Sequence, residues 1–296
     1  MSVITAHLRL TRPANIVTAI ADILAGAAIS GGLILFSAEV DWSKIGWLVL
    51  STIGLYGGGV AFNDVFDAEL DKVERPERPI PSGKATVKSA GLMAFLLLLV
   101  GVLSAWQVSD QSAFLALSVA VLAVVYDAWG KHQSFIGPIN MGLCRAGNLL
   151  LGMSLVQGAW GEFWFIAFIP LFYVAAITMV SRGEVHGKNL SALQGGAFIY
   201  GCIIVFIFGV AYLYNDHWWE SLPFLVLLAA FIFPPLLKAI RYQEPALIGK
   251  SVKAAVLALI IVNAALAAAF AGWMVALAIL LLLPLSLLLA KAFAVT

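Results

Sequence analysis

Asn63, Asp67 and Asp71 recur at every fourth position of Asn63-Asp64-Val65-Phe66-Asp67-Ala68-Glu69-Leu70-Asp71, so a helix stacks them along one face. Two carboxylates so placed repel each other, and no lysine is interleaved to relieve them. Such a pair costs roughly a few tenths of a kcal/mol when exposed, and more at the mouth of a low-dielectric bundle. A hard divalent cation removes that cost. Mg²⁺ suits one or two carboxylates, because water and substrate phosphate complete its shell. The residues that follow, Lys72-Val73-Glu74-Arg75-Pro76-Glu77-Arg78-Pro79-Ile80-Pro81-Ser82-Gly83-Lys84, hold fixed cations in a loop stiffened by proline. Acid, metal and arginine together grip a diphosphate: the metal bridges its oxygens and the guanidinium supplies a fork of donors. The alternative is an ordinary helix end with a charged, solvated loop, and the regular spacing at a membrane edge argues against it.

The elements that position these groups are apolar. Of 296 residues, 62% are hydrophobic and only 11% charged, with a mean hydropathy of +1.00; a soluble domain is about 25% charged. This composition excludes a soluble enzyme, a secreted disulfide scaffold and a disordered chain. An outer-membrane barrel is excluded too, since its strands alternate instead of running apolar for about twenty residues. The expectation is an all-α, polytopic membrane bundle of nine or ten transmembrane helices, forming a single domain over 1–296. Spans of suitable length fall near 14–36, 46–66, 88–107, 112–128, 137–157, 162–181, 195–214, 219–238 and 251–270, and 272–290 is a tenth span or a bent continuation of the ninth. With the N-terminus in the cytoplasm, and leaving aside Arg145 within a span and Lys291 at the tail, fourteen Lys and Arg residues fall on the cytoplasmic side and only Lys44 on the other. The positive-inside rule then places the chain in the inner membrane with the acidic face cytoplasmic. Trp42, Trp47, Trp218 and Trp219 read as interface anchors on the far side. Met1 to Pro13 shows no cleavable signal peptide. Cys144 and Cys202 read as small buried side chains, not a bridge. The net charge of +1 gives no reason to expect a nucleic-acid partner.

Some polar residues lie within the spans. Asp22 in the first span and Arg145 with Asn148 in the fifth sit about two turns deep, where ionisable groups face a cavity or a partner. Arg12-Pro13-Ala14-Asn15 and Gly137-Pro138-Ile139-Asn140 open those same two spans with an echoing pattern, the hint of a parallel repeat. An Asp22–Arg145 pair follows if the two spans are neighbours, and either buried pairing or lining of a substrate pocket explains it. Asn15 and Asn140 fit a polar cavity rim. Phe62, Phe66, Trp129 and Phe135 either wall a ligand or pack in the core. Gly57-Gly58-Gly59, inside a span, marks close helix packing.

Asn63 through Asp71, followed by Arg78-Pro79-Ile80-Pro81-Ser82-Gly83, resembles the UbiA superfamily of intramembrane aromatic prenyltransferases, as does Leu10-Thr11-Arg12-Pro13-Ala14-Asn15. Within it, Asn63 to Gly83, Tyr126 to His132 and Asn140 to Arg145 resemble the EboC-like branch. The resemblance implies a central cavity open to lipid and a polyprenyl diphosphate held through Mg²⁺. Asn63 and Asp67 would hold the metal, Asp71 would support it and Arg78 would contact phosphate. Tyr126 and Lys131 resemble the family's Tyr-x-x-x-x-Lys element, for leaving-group positioning and diphosphate binding; interface anchoring is the equal alternative for both. The expected catalytic set is thus Asp67, Asp71, Tyr126, Lys131 and Glu184. The expected substrate contacts are Arg12, Asn15, Asp64, Arg75, Arg78, Asn140, Arg145, Arg182, His186 and Lys188.

The chain departs from the superfamily where a second motif, Asp-x-x-x-Asp, is usual. Ser181-Arg182-Gly183-Glu184-Val185-His186-Gly187-Lys188-Asn189 has one acid. Either Arg182 and Lys188 replace the charge of a second metal, with Glu184 and His186 as ligand or proton acceptor, or catalysis is lost. Two function classes stay open: prenyl transfer to an aromatic or small-metabolite acceptor, and a non-catalytic membrane protein that binds or transports a prenylated or lipid-linked metabolite. A CDP-alcohol phosphotransferase lacks support, because its Asp-Gly and Ala-Arg pairs are missing from Asn63 to Asp71.

Overall fold

The computed structural model describes residues 3–34, 39–184, 187 and 189–293. Every regular element among them is helical: α1 (Val3–Leu10), α2 (Pro13–Ile29), α3 (Trp42–Phe66), α4 (Ala68–Glu74), α5 (Val87–Trp106), α6 (Asp110–Ala128), α7 (Ile136–Met153), α8 (Ala159–Phe163), α9 (Phe168–Ser181), α10 (Leu190–Tyr214), α11 (Leu222–Tyr242), α12 (Pro245–Ala271), α13 (Trp273–Leu280) and α14 (Leu282–Phe293), with short 3₁₀ turns between some of them. Apolar length explains most of these helices, and local chemistry sets their ends. Asp41 caps α3 by accepting from the Lys44 N–H, and Thr86 with Ser89 closes a reciprocal capping box on α5.

Among the described residues eight helices are long and apolar enough to cross a membrane, or up to nine if α1 and α2, bent by 44° at their junction, count as one. The chain is a multi-pass membrane protein. The expected fifth span, α7, is absent from that count because Asn140, Arg145 and Asn148 dilute its apolar character. It is nevertheless packed inside the bundle, against α2, α6 and α9. Past α12 the chain breaks at Gly272, whose φ is +85°, and Glu220 accepts from the Trp273 N–H at 3.0 Å. Trp273–Phe293 is therefore a separate apolar length, as the ten-span reading has it.

Close approach of α2 and α7 organises the bundle. A Cβ on Gly26 would overlap Leu149 and Met153 backbone, and a Cβ on Gly152 would overlap Ile23 backbone; only glycine lets the two helices meet this tightly. The echo between the openings of the first and fifth spans thus corresponds to real neighbours. Gly58 plays the same part against Ala94 and Leu98 of α5. Cys144 and Cys202 are unbridged, but Cys202 is exposed on α10 instead of buried. Between α2, α3, α6, α7, α9 and α12 lies a cavity of about 530 Å³.

Candidate functional site

The acidic run forms where α3 gives way to α4. Asp67 is the junction residue, yet the backbone keeps its helical path: the Asp67 N–H donates to Asn63 O at 2.9 Å and the Asp71 N–H to Asp67 O at 2.8 Å. The side chains then part. Asn63 Nδ2 donates to Asp127 Oδ1 at 2.9 Å, Lys131 Nζ donates to Asp67 Oδ1 at 2.5 Å, and Arg78 Nη1 donates to Asp71 Oδ2 at 2.7 Å. Asp64, 5% exposed, accepts from Arg12 Nη2 at 3.0 Å and from Arg78 Nη1 at 3.2 Å. The repulsion expected between Asp67 and Asp71 is therefore relieved by tertiary contacts, although no cation is interleaved in the run itself. Arg12 reaches Asp64 from a left-handed backbone, φ +47°, at the bend before Pro13. That conformation is costly for a residue with a Cβ and marks a constrained position.

Of the expected site residues, Arg12, Asn15, Asn63, Arg75, Tyr126, Arg145 and Glu184 line the cavity. Asp67 and Lys131 stand paired one turn beyond Asn63, at the rim. Asp64, Asp71 and Arg78 form a buried ionic layer behind the rim. Asn140 turns to α6 instead of the cavity: with its amide oriented to satisfy both ends, it donates to Leu122 O at 3.0 Å and accepts from the Tyr126 N–H at 3.3 Å. Arg182 points away as well, donating to Ser134 O at 2.7 Å and Gln133 O at 2.8 Å, so it clamps the α6–α7 connection. His186 and Lys188 lie outside the described residues. Phe66, Trp129 and Phe135 are exposed, and none of the four expected aromatics lines the cavity.

Two charged residues line the cavity at positions to which the sequence assigns no role. Asp127, 3% exposed, follows Tyr126 on α6; an acid near the end of an apolar span, beside Tyr126, is its signal. Lys253 projects from the first turns of α12, where the sequence shows one more loop-side lysine. Arg75 and Lys253 act on half-buried Glu184: burial pushes its carboxyl above the ordinary glutamate value, while the two cations pull it partly back.

The oxygen donors suit a hard cation. Asn63 Nδ2 donates to Asp127, and neither Asn63 Oδ1 nor Asp67 Oδ2 has a protein donor among the described residues. Asp71 is committed to Arg78. Among the described residues no three or more His, Cys, Asp or Glu side chains gather into a metal cage. Few protein carboxylates, with substrate and water completing the shell, is the arrangement typical of Mg²⁺.

Deeper in the cavity, Arg145 and Asp22 meet as the neighbouring spans require, with Arg145 Nε 2.6 Å from Asp22 Oδ2. Asn148 Nδ2 donates to Asp22 Oδ2 at 2.9 Å, and Asn263 Nδ2, from α12, donates to Asp22 Oδ1 at 2.7 Å.

Comparison with known proteins places this geometry. Digeranylgeranylglyceryl phosphate synthase of Ignicoccus hospitalis is 32% identical over 184 residues, 62% of this chain and 58% of that protein. The protein of the same name from Methanopyrus kandleri is 30% identical over 192 residues, 65% of each chain. The chain spans between about half and two-thirds of the length of the curated relatives it matches. Among solved structures, a UbiA homologue from Archaeoglobus fulgidus bound to GPP and Mg²⁺ aligns with a TM-score of 0.60 at 13% identity, over 88% of this chain and 99% of that one. A UbiA homologue from Aeropyrum pernix K1 aligns with a TM-score of 0.63 at 14% identity, over 84% and 96%. At these identities the likeness to solved structures is one of fold. The UbiA prenyltransferase family model matches residues 24–252, and the chain belongs to that family.

Proposed function

We propose that the chain transfers the prenyl group of a polyprenyl diphosphate to a small acceptor, with Mg²⁺ held by Asn63 and Asp67 at the cavity mouth. One observation carries the reading: hard oxygen donors and the cations Arg12, Arg75, Lys131 and Lys253, drawn from separate parts of the chain, meet at one end of a largely apolar cavity of about 530 Å³. Asn63 and Asp67 would hold Mg²⁺ there, and the metal would supply charge neutralisation for a diphosphate leaving group. Arg12, Arg75 and Lys253 add positive charge on the same side, where the leaving group's charge grows. Lys131 stands at the rim as a point charge. Arg78 does not face the cavity; tied to Asp64 and Asp71, it holds the proline loop against the end of α3. Tyr126 offers its ring face to an allylic cation, and the apolar walls keep water from it. Glu184, with its raised affinity for a proton, is placed to receive the one the acceptor gives up. The relatives named digeranylgeranylglyceryl phosphate synthase, and the A. fulgidus homologue bound to GPP and Mg²⁺, support this reading. The fourteen-to-one distribution of loop Lys and Arg supports a mouth on the cytoplasmic side of the membrane.

One observation favours a second reading, a non-catalytic binder: Glu184 is the sole acid between α9 and α10, and Arg182 is turned away from the cavity. Binding of geranylgeranyl diphosphate to the purified protein, with and without Mg²⁺, tests both. Metal-dependent binding that Asp67→Ala abolishes is expected, and unchanged binding in that variant would overturn the metal assignment. Release of diphosphate on adding candidate acceptors then separates the enzyme from the binder.

A further inference from the structure

The cavity has a polar floor as well as a charged mouth. Asn63 and Thr52 both line it from α3, and their separation in sequence puts about 16 Å of helix between them. The walls between are apolar, with Leu55, Val60, Val119 and Ile177 among them. At the floor, the side chains from α2, α3, α7 and α12 close on one another. Asn148 Oδ1 accepts from Thr52 Oγ1 at 2.7 Å, and its Nδ2 donates to Ala19 O as well as to Asp22, at 2.9 Å each. Both Asp22 oxygens take an amide, from Asn148 and Asn263. Arg145, 6% exposed, places Nε against Asp22 and donates from Nη2 to Thr18 Oγ1 at 3.0 Å. Its Nη1 has no protein partner among the described residues, and Arg145 lines the cavity. Nε makes an ion pair with Asp22 but no hydrogen bond, and Nη1 is the guanidinium nitrogen left open to whatever occupies the space above the floor.

Charge balance decides what that occupant carries. Asp22, 1% exposed, neutralises Arg145. The other cations lining the cavity, Arg12, Arg75 and Lys253, are at the mouth. A carboxylate or phosphate brought to the floor would be a second buried anion with one shared cation, and its desolvation would go uncompensated. An uncharged oxygen needs only the open N–H. The Tyr56 ring, 6.0 Å from Arg145 Cζ and also lining the cavity, gives a flat apolar body a face to lie on.

We propose that the cavity floor is a recognition subsite for the acceptor, which carries an uncharged oxygen (carbonyl, hydroxyl or ether) on a flat apolar body, and that this oxygen accepts from Arg145 Nη1. Naming the ligand as the acceptor rests on the prenyl-transfer reading; the subsite does not. The test is calorimetric titration of the purified protein with three probes that share one ring system: 2-methoxynaphthalene, its isostere 2-ethylnaphthalene, and 2-naphthoate. In the wild type the ether binds about tenfold tighter than the ethyl compound, as one hydrogen bond from a charged donor warrants, and the naphthoate binds no tighter than the ethyl compound. In Asp22→Asn/Arg145→Met, which removes both charges together and leaves no buried ion unpaired, the ether's advantage disappears; this comparison also cancels partition into detergent. Equal binding of ether and ethyl in the wild type, tightest binding of the naphthoate, or an ether advantage that survives in the double variant would overturn the proposal. The wild-type comparison stands even where the double variant does not fold. The titrations contain neither Mg²⁺ nor prenyl diphosphate. Lost diphosphate binding with a preserved ether preference would therefore overturn only the prenyl-transfer reading, and the converse only this one.

Discussion

Lys131 Nζ donates to Asp67 Oδ1 at 2.5 Å, joining residues 64 apart in sequence at the ends of α6 and α3. If Asp67 holds Mg²⁺ as proposed, the lysine on its Oδ1 would compete with the metal for that carboxylate until a diphosphate drew the lysine's charge away. Lys131→Met is expected to act in opposite directions on two affinities. Removing the competitor tightens Mg²⁺ binding to the substrate-free protein. Removing a charge-assisted phosphate contact, worth about 1.5–3 kcal/mol, weakens prenyl diphosphate binding about tenfold or more. Titration of each ligand separately measures both, and parallel changes would show that Lys131 and the metal do not share Asp67.

Asp71 is separable from Asp67. Its carboxylate, 6% exposed as a side chain and 2.7 Å from Arg78 Nη1, holds the proline loop and does not line the cavity. Asp71→Asn is expected to lower stability by about 1–3 kcal/mol, the range for weakening a buried charged hydrogen bond, with little change in Mg²⁺ affinity. Asp67→Asn should do the reverse. Thermal unfolding in detergent, paired with metal titration, checks the two variants together.

Glu184 gives a pH signature. Burial raises its pKa above the ordinary glutamate value against the pull of Arg75 and Lys253, so the folded chain holds this proton more tightly than the unfolded chain does. The resulting stability is complete below the unfolded pKa and is lost as pH rises through the folded one. Glu184→Gln, which never ionises, should therefore unfold at a higher temperature than wild type at neutral and alkaline pH. The two curves should meet towards about pH 4, where both side chains are neutral. A difference that widened on acidification would contradict the burial assigned to Glu184.

The sequence reveals the site unevenly, for physical reasons. The i, i+4, i+8 acids were legible because helix periodicity is local, and the membrane class because composition is global. The α2–α7 contact was legible in part, from the Pro-x-Asn echo and from the cost of ionisable groups at depth. What the side chains point at was not legible. Asn140 and Arg182 look like site residues by position and charge, yet each is spent on backbone groups of a neighbouring segment. Lys253 faces the cavity with no motif around it, and Asp127 does so at an unassigned position within the Tyr126-to-Lys131 element. Facing is decided by the rotation of α6 and α12 about their axes, and in helices this uniformly apolar a sequence pattern marks rotation only weakly.

Helix rotation is locked where α2 crosses α7, and that lock can be tested. A Cβ on Gly152 would lie 2.5 Å from Ile23 O and 2.8 Å from Ile23 Cα, so the opposing atoms are backbone and cannot swing aside. Gly152→Ala must push the helices apart, at a cost of about 1–3 kcal/mol by analogy with overpacked cores. The displacement falls beside the 2.6 Å Asp22–Arg145 pair, which spans the same two helices, so the floor of the cavity should loosen along with the fold. Gly46→Ala is the control: it lies in α3 with nothing within 4 Å of its would-be Cβ, and alanine there should stabilise by up to about 1 kcal/mol through helix propensity alone. Thermal unfolding of the two variants in detergent is expected to move in opposite directions. Equal shifts would mean that helix propensity, and not the closeness of α2 and α7, sets the effect at Gly152.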